Sequence, residues 1–131
     1  MNKKNLIRKI PILISVILLL FITACTKDKT DPDYAGTIAG TYTGSVTVVG
    51  TGTVPGKSTL TRVNNTKVDL IIEIGTDDIP LNGIRVSNDD DDVYELEYTD
   101  ASGSFDGKVN GNTLTWTLIA GSITETFSGT K

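Results

Sequence analysis

From residue 39 onward, apolar and polar residues alternate with a period of two, and clusters of glycine, asparagine and aspartate interrupt the alternation. This pattern is typical of β-strands with one buried and one solvent-facing side. No stretch repeats apolar residues at the i, i+3, i+4, i+7 spacing of an amphipathic helix, so we expect no helix of consequence. The pattern predicts eight short strands, at residues 40–49, 57–64, 67–75, 81–87, 93–99, 104–109, 113–118 and 122–129.

A recurring aromatic-x-Gly motif indicates how these strands are arranged. In each copy the ring and the glycine share one strand face, so the strand can bend beside a large side chain. Two copies lie in the first and last strands, and pairing of those strands would close the sheet and leave no exposed edge. We therefore predict an all-β fold, an antiparallel eight-stranded up-and-down barrel, with a β-sandwich as the alternative. The copies are Tyr42-Thr43-Gly44, Phe105-Asp106-Gly107 and Phe127-Ser128-Gly129.

The expected interior of the barrel is crowded. An eight-stranded barrel is just wide enough for side chains to fill it or for one small ligand. Many of the inward positions carry large side chains, among them Tyr42, Leu70 and Phe127. We expect a mostly filled barrel that is open at one mouth.

The first 24 residues have the three-part order of a secretory signal peptide. An apolar run at residues 10–22 follows a basic start, and it is shorter than the roughly 20 residues that a membrane-spanning helix needs. The basic residues are Lys3, Lys4, Arg8 and Lys9.

The segment Ile22-Thr23-Ala24-Cys25 resembles a bacterial lipobox. The resemblance implies cleavage between Ala24 and Cys25, lipidation of Cys25, and membrane attachment through its acyl chains. The alternatives are an uncleaved N-terminal anchor and an ordinary signal peptide whose cysteine is incidental. We expect residues 25–36 to be the lipidated cysteine and a flexible tether, because they are short, polar and charged, and residues 37–131 to be the barrel domain.

Removal of the signal peptide changes the charge of the protein. The whole chain has 12 Lys and Arg against 16 Asp and Glu, and loss of the four signal cations brings the net charge to -8. A surface this acidic argues against nucleic acid as a partner. The chain has no histidine and one cysteine, which excludes Ser-His-Asp and Cys-His nucleophiles and Cys/His metal or haem sites. We expect a non-enzymatic protein without a cofactor.

Three segments together resemble the calycin-like and lipocalin-like lipoproteins of Gram-negative bacteria. The resemblance extends over residues 36–131 and implies an eight-stranded barrel, a lipid-anchored cell-envelope protein of the outer membrane, and a relationship to proteins that hold small apolar ligands. The chain is shorter than typical lipocalins and lacks a detectable helix. The segments are residues 40–48, 105–116 and 126–129.

Four residues are candidates for ligand binding. Arg62 and Glu125 interrupt the inward apolar pattern. Because a buried charge is costly unless it is paired, they are expected to meet or to orient a polar ligand head, or else both lie in water near an open end. Tyr94 and Trp116 would line a ligand cavity.

An aspartate run is a weak metal candidate. Asp89, Asp90, Asp91 and Asp92 could offer oxygen ligands to calcium, but they lack the spacing and terminal glutamate of an EF-hand. A solvated loop is the simpler interpretation, and we expect no metal site.

Two functions follow from these patterns. The favoured one is a binding module for a small apolar or amphipathic ligand. The alternative is an acidic binding or inhibitor module that docks a cationic protein or peptide through the loops at residues 50–56 and 89–92. A hydrolase that uses paired carboxylates such as Glu95 and Glu97 is disfavoured, because those residues alternate with Tyr94 and Leu96 as an outer face does.

Overall fold

A computed structural model describes residues 31–131, which form one short helix and an antiparallel up-and-down barrel of eight strands. Neighbouring strands pair in chain order, and β8 pairs with β1 to close the sheet. The predicted barrel is confirmed. The signal peptide, Cys25 and the first part of the predicted tether lie outside the described residues. The elements are α1 (Tyr34–Ile38), β1 (Gly40–Val48), β2 (Gly52–Asn64), β3 (Lys67–Ile74), β4 (Asp77–Asp90), β5 (Val93–Thr99), β6 (Gly103–Asn110), β7 (Thr113–Ala120) and β8 (Ile123–Thr130).

Glycines make the closure between β1 and β8 possible. Gly44 lies opposite Gly129, and a Cβ atom at Gly44 would collide with the backbone of β8 at Ser128 and Gly129. The ring of Phe127 covers Gly129, and the ring of Phe105 covers Gly107 in the same way. The motif therefore places rings over bare backbone in β6 and β8, and in β1 its glycine lets the first and last strands approach each other.

Packed side chains fill the middle of the barrel, as predicted. The Trp116 ring stacks on Phe127 at a centroid distance of 5.5 Å and lies 5.9 Å from the Phe105 ring. Its Nε1 atom donates a 2.9 Å hydrogen bond to Ser58 Oγ on β2, so the indole of β7 reaches across the barrel. Ser58 is fully buried and has the hydroxyl that the indole requires. The barrel and α1 supply a complete hydrophobic core of their own.

Two strands are longer than the sequence predicts. β2 begins at Gly52 rather than residue 57, and β4 spans Asp77–Asp90 rather than 81–87. Pairing with β1 holds the start of β2 in place: Val48 lies opposite Gly52, and the hydroxyls of Thr47 and Thr53 are 2.8 Å apart. A neighbouring strand thus overrides the weak strand preference of glycine and proline. Pro55 is tolerated because it lies beyond the last β3 partner, where β2 is an edge on that side.

The predicted end of the tether at residue 36 was wrong. Tyr34–Ile38 form α1, and Asp33 Oδ1 caps it by accepting a 2.9 Å hydrogen bond from Gly36 N. Ala35 and Ile38 are 0% and 1% exposed, because they cover one end of the barrel. The ordered domain therefore begins before residue 37. No helix within residues 31–131 is long and apolar enough to cross a membrane.

Candidate functional site at the open end of the barrel

The two ends of the barrel differ in structure. The closed end comprises α1, the turns after β2, β4 and β6, and the C-terminus of the chain. The open end comprises the turns after β1, β3, β5 and β7. This antiparallel arrangement places Arg62, near the end of β2, and Glu125, near the start of β8, at opposite ends.

Arg62 belongs to the closed end, where it ties α1 to the barrel. Its Nε atom lies 2.9 and 3.0 Å from the two Asp33 carboxylate oxygens, and its guanidinium donates a 2.6 Å hydrogen bond to Asn65 Oδ1. The hydrogen bond from Arg62, helped by that from the Gly36 amide, lowers the pKa of Asp33. Of the alternatives for Arg62 and Glu125, a direct contact between the two was wrong, because they lie at opposite ends of the barrel. Arg62 is exposed to solvent and Glu125 is partly buried, so they do not share one open end either.

Tyr94 and Trp116 also lie away from the open end. Tyr94 packs against Tyr34 of α1, with ring centroids 6.0 Å apart. Trp116 lies in the filled middle. The four candidate residues therefore do not form one site, and Glu125 is the member of the set at the open end.

Hydrogen bonds secure the closed end. Tyr42 Oη donates a 2.7 Å hydrogen bond to the Ile38 carbonyl, and burial raises the pKa of Tyr42 to about 12. Lys131 Nζ lies 5.3 Å from the centre of the Tyr42 ring and donates a 3.2 Å hydrogen bond to the Ala39 carbonyl. These contacts plug this end of the barrel.

The open end exposes apolar side chains that point toward the barrel axis. They alternate along their strands with the buried core residues, so they face inward. Val54 is 42% exposed and Ile123 is 53% exposed, whereas the inward residues Leu60 on β2 and Phe127 on β8 are 2% and 3% exposed. Such a concave apolar opening is the usual character of a ligand site. The inward residues here are Val54 and Ile123, which are exposed, Val48, Ile74, Ile79, Leu81 and Tyr98, which are partly buried, and Leu118, which is buried.

A split in the barrel wall widens this opening. The pairs of β4 with β5 start at Arg85 opposite Glu97, whereas its pairs with β3 continue to Asp77. Gly83 lies two residues before Arg85, where the register between β3 and β4 is irregular. It has a φ of +74°, and its N–H donates a 2.8 Å hydrogen bond to Asp69 Oδ1. A cleft of about 290 Å³ follows, lined by residues 79–82, 98, 100, 102–104 and 118–120.

Glu125 is a carboxylate within this apolar opening. It lies opposite Leu118 on β7 and Val48 on β1, two residues and therefore about 7 Å along β8 from Ile123. Its Oε2 atom is buried and has no hydrogen-bond partner among residues 31–131. An unsatisfied buried polar group typically costs about 1–3 kcal/mol, and more when it is charged. A donor that entered the opening would remove that penalty.

A second carboxylate lies beside the cleft and is already satisfied. Asp100 Oδ2 accepts a 2.7 Å hydrogen bond from Tyr98 Oη, while Oδ1 accepts from the amides of Ser102 and Gly103 at 2.7 and 3.1 Å. The hydrogen bond between the two side chains raises the pKa of Tyr98 and lowers that of Asp100. Asp100 therefore shapes the turn after β5.

The aspartate run after Ser87 also shapes a turn. Asn88 Nδ2 donates to the carbonyls of Asp90 and Val93, Asp91 N donates to Asp90 Oδ1, and Asp92 has a φ of +63°. Its side chains are exposed. Within residues 31–131, no three His, Cys, Asp or Glu residues are grouped as metal ligands.

The register between paired strands could not be read from the sequence, and this is why the residues of the open end were not recognised as one group. Its inward residues come from seven strands, and in the sequence each looks like an ordinary core position. The one local signal was Glu125, a charge at an inward position. Together the fold and this opening define a class: a small, packed β-barrel with one plugged end and one apolar, acidic end.

Comparisons with known proteins support the fold. No protein-family model and no curated protein matches the chain. The crystal structure of a "putative outer membrane protein" from Bacteroides fragilis is similar, with a TM-score of 0.56 and 22% identity over 76% of this chain. This chain spans 53% of the length of that protein. At this identity the similarity concerns the fold, and the calycin-like family stays a prediction.

Proposed function

We propose that this protein is a lipid-anchored binding module of the cell envelope, which holds a small apolar or amphipathic ligand at the open end of its barrel. The observation that carries the proposal is the set of inward-facing apolar side chains that remain exposed there, beside the split between β4 and β5. Because the Trp116 cluster fills the middle, the ligand is short and binds in the mouth. The proposed role is not catalytic.

The sequence and the fold support the proposed location. Residues 1–24 and Cys25 have the pattern of a lipoprotein signal, and each acyl CH₂ group buried in a bilayer contributes about 0.8 kcal/mol to attachment. The barrel also resembles a protein whose name places it in the outer membrane. We propose that the protein is attached to the outer membrane through Cys25.

Ligand binding is tested by NMR on residues 26–131, which include the whole described barrel and its core. Titration with 1-octanol is expected to shift the amides of the open end, such as Leu81, Leu118 and Ile123, and to leave those of α1 unchanged. Ile79→Asp should abolish the shifts because it places a charge in the mouth. Ile71→Asp is the matched control, since Ile71 is 43% exposed on the outer wall. Shifts centred on α1, or equal binding by both variants, would contradict the proposal.

The anchor is tested in cells by labelling with a radioactive fatty acid. The wild-type chain should incorporate label and Cys25→Ser should accumulate as unlabelled precursor. A processed but unacylated Cys25→Ser protein would show that the signal is of the ordinary secretory kind.

A further inference from the structure

The charges near the open end are all negative. The four segments that build it, residues 48–54, 74–82, 98–104 and 118–125, contain four carboxylates and neither lysine nor arginine. The described cations are exposed at the closed end or on the outer wall, and they are Lys57, Arg62, Lys67, Arg85, Lys108 and Lys131. Three of them pair with carboxylates there: Lys57 with Glu73, Arg62 with Asp33 and Lys108 with Glu95. Within residues 31–131, the open end therefore offers no cation to an anionic ligand.

The four carboxylates differ in what they can still bind. Asp77 and Asp78 are exposed to solvent at the turn after β3. Both oxygens of Asp100 already accept hydrogen bonds from Tyr98 and from the turn amides. Glu125 combines a position inside the rim with a buried oxygen that has no partner among residues 31–131. It is therefore the group that selects the polar part of a ligand.

We propose that the ligand of the open end is a small cationic amphiphile, in which a protonated amine is joined to a short apolar group. This inference rests on the proposed function and names its ligand class. The ammonium group donates to Glu125 Oε2, and the apolar group contacts Val48, Val54 and Ile123 around it. An ammonium group adds the attraction between opposite charges to its hydrogen bond with the carboxylate, so an amine is preferred over an alcohol. A fatty acid is disfavoured because its carboxylate would face Glu125 without a counter-ion.

The depth of Glu125 favours a small molecule over a protein surface. Glu125 lies about 7 Å along β8 from Ile123 and its Oε2 atom is buried, so a flat partner surface does not reach that atom. The adjoining cleft of about 290 Å³ is at the lower limit of small-molecule sites. The observations therefore favour a short alkyl or aryl amine.

The test is isothermal titration calorimetry of residues 26–131 with octylammonium, 1-octanol and octanoate, each below its micelle-forming concentration. Octylammonium is expected to bind at least tenfold more tightly than 1-octanol, and octanoate more weakly than both. Glu125→Gln should remove the preference for octylammonium, so that octylammonium binds this variant no more tightly than 1-octanol does. Glu97→Gln, the same change on the exposed outer wall, should keep the wild-type order.

The possible results separate the two proposals. Equal affinities for octylammonium and 1-octanol, or tightest binding of octanoate, would overturn the amine assignment and leave the apolar site standing. Lack of binding by all three probes would overturn the proposed function itself. Binding of an oligolysine peptide that depends on Glu125, without binding of octylammonium, would overturn the small-molecule assignment in favour of a cationic peptide.

Discussion

The two ends of the barrel are built from the same eight strands but are completed to different degrees. At the closed end, α1 covers the core, Tyr42 and Arg62 find hydrogen-bond partners, and Ile38 is 1% exposed. At the open end, inward apolar side chains stay in contact with solvent and Glu125 Oε2 has no partner within residues 31–131. At the closed end, the chain provides hydrogen-bond partners for its polar groups and covers its apolar side chains. The same kinds of residue could have completed the open end in this way. Departures from such consistency concentrate at functional sites, which points to the open end.

The largest expected contrast is between two isoleucines. Ile38→Ala removes a fully buried side chain under α1 and should lower the free energy of unfolding by about 2–4 kcal/mol. Ile123→Ala, at a position that is 53% exposed, should lower it by less than about 1 kcal/mol. Urea denaturation measures both. Equal losses would mean that α1 does not belong to the folded core.

The next effect is a loss of stability in alkali that originates at the closed end. The folded pKa of Tyr42, about 12, is above the ordinary value of 10, so the folded state keeps a proton that the unfolded state releases. The corresponding stabilisation is complete below pH 10 and is lost as the pH rises toward 12, by at most roughly 2–3 kcal/mol. The free energy of unfolding measured from pH 8 to pH 12 should show this slope.

Two tyrosine variants assign that slope to one end. Tyr42→Phe should weaken the dependence of the free energy of unfolding on pH. Tyr98→Phe, at the open end, should leave most of that dependence in place. A slope that survives in Tyr42→Phe would assign the alkaline transition to another group.

A smaller effect is expected where the open end is split. Gly83→Ala places a Cβ at a φ of +74°, and although the space around it is empty, the left-handed backbone should cost about 1–2 kcal/mol in the free energy of unfolding. Gly83→Asn should cost less, because asparagine tolerates this conformation better. Chemical denaturation compares the two variants. An equal loss in both would trace the effect to side-chain size rather than to backbone strain.

The smallest effect concerns the exposed ion pair between Asp33 and Arg62, which ties α1 to the barrel. The pKa of Asp33 is lowered, so its ionised form stabilises the fold above the ordinary aspartate pKa of about 4, and this stabilisation is lost as the pH falls through the lowered value. Asp33→Asn should melt slightly below the wild type at pH 7. The difference should shrink in acid. Circular dichroism melts at pH 7 and pH 2.5 measure it, and a difference that persists at pH 2.5 would exclude the carboxylate as its source.

Much of the barrel could be predicted because each strand has a pattern that is visible within a few residues of the sequence. Alternation located all eight strands, and the aromatic-x-Gly motifs in β1 and β8 predicted the closure, since rings over glycine suit a tightly curved sheet. The five-residue helix α1 was missed because a helix so short has no readable period and is stabilised by burying Ala35 and Ile38. The extra length of β2 and β4 was missed because it depends on pairing with β1 and β3.

Local sequence patterns were sufficient for the all-β class, the inward and outward faces of the strands and the packed interior, and they predict a lipoprotein-like start of the chain. Each of these depends on spacing or composition within a few residues. The folded barrel was needed to show which end is plugged, that Arg62 pairs with Asp33, and that Glu125 Oε2 has no hydrogen-bond partner within residues 31–131. Those facts depend on how residues that are far apart in the sequence come together in the barrel. Hydrophobic burial drives that arrangement, and because it depends on buried area rather than on separation along the chain, it acts on the fold as a whole.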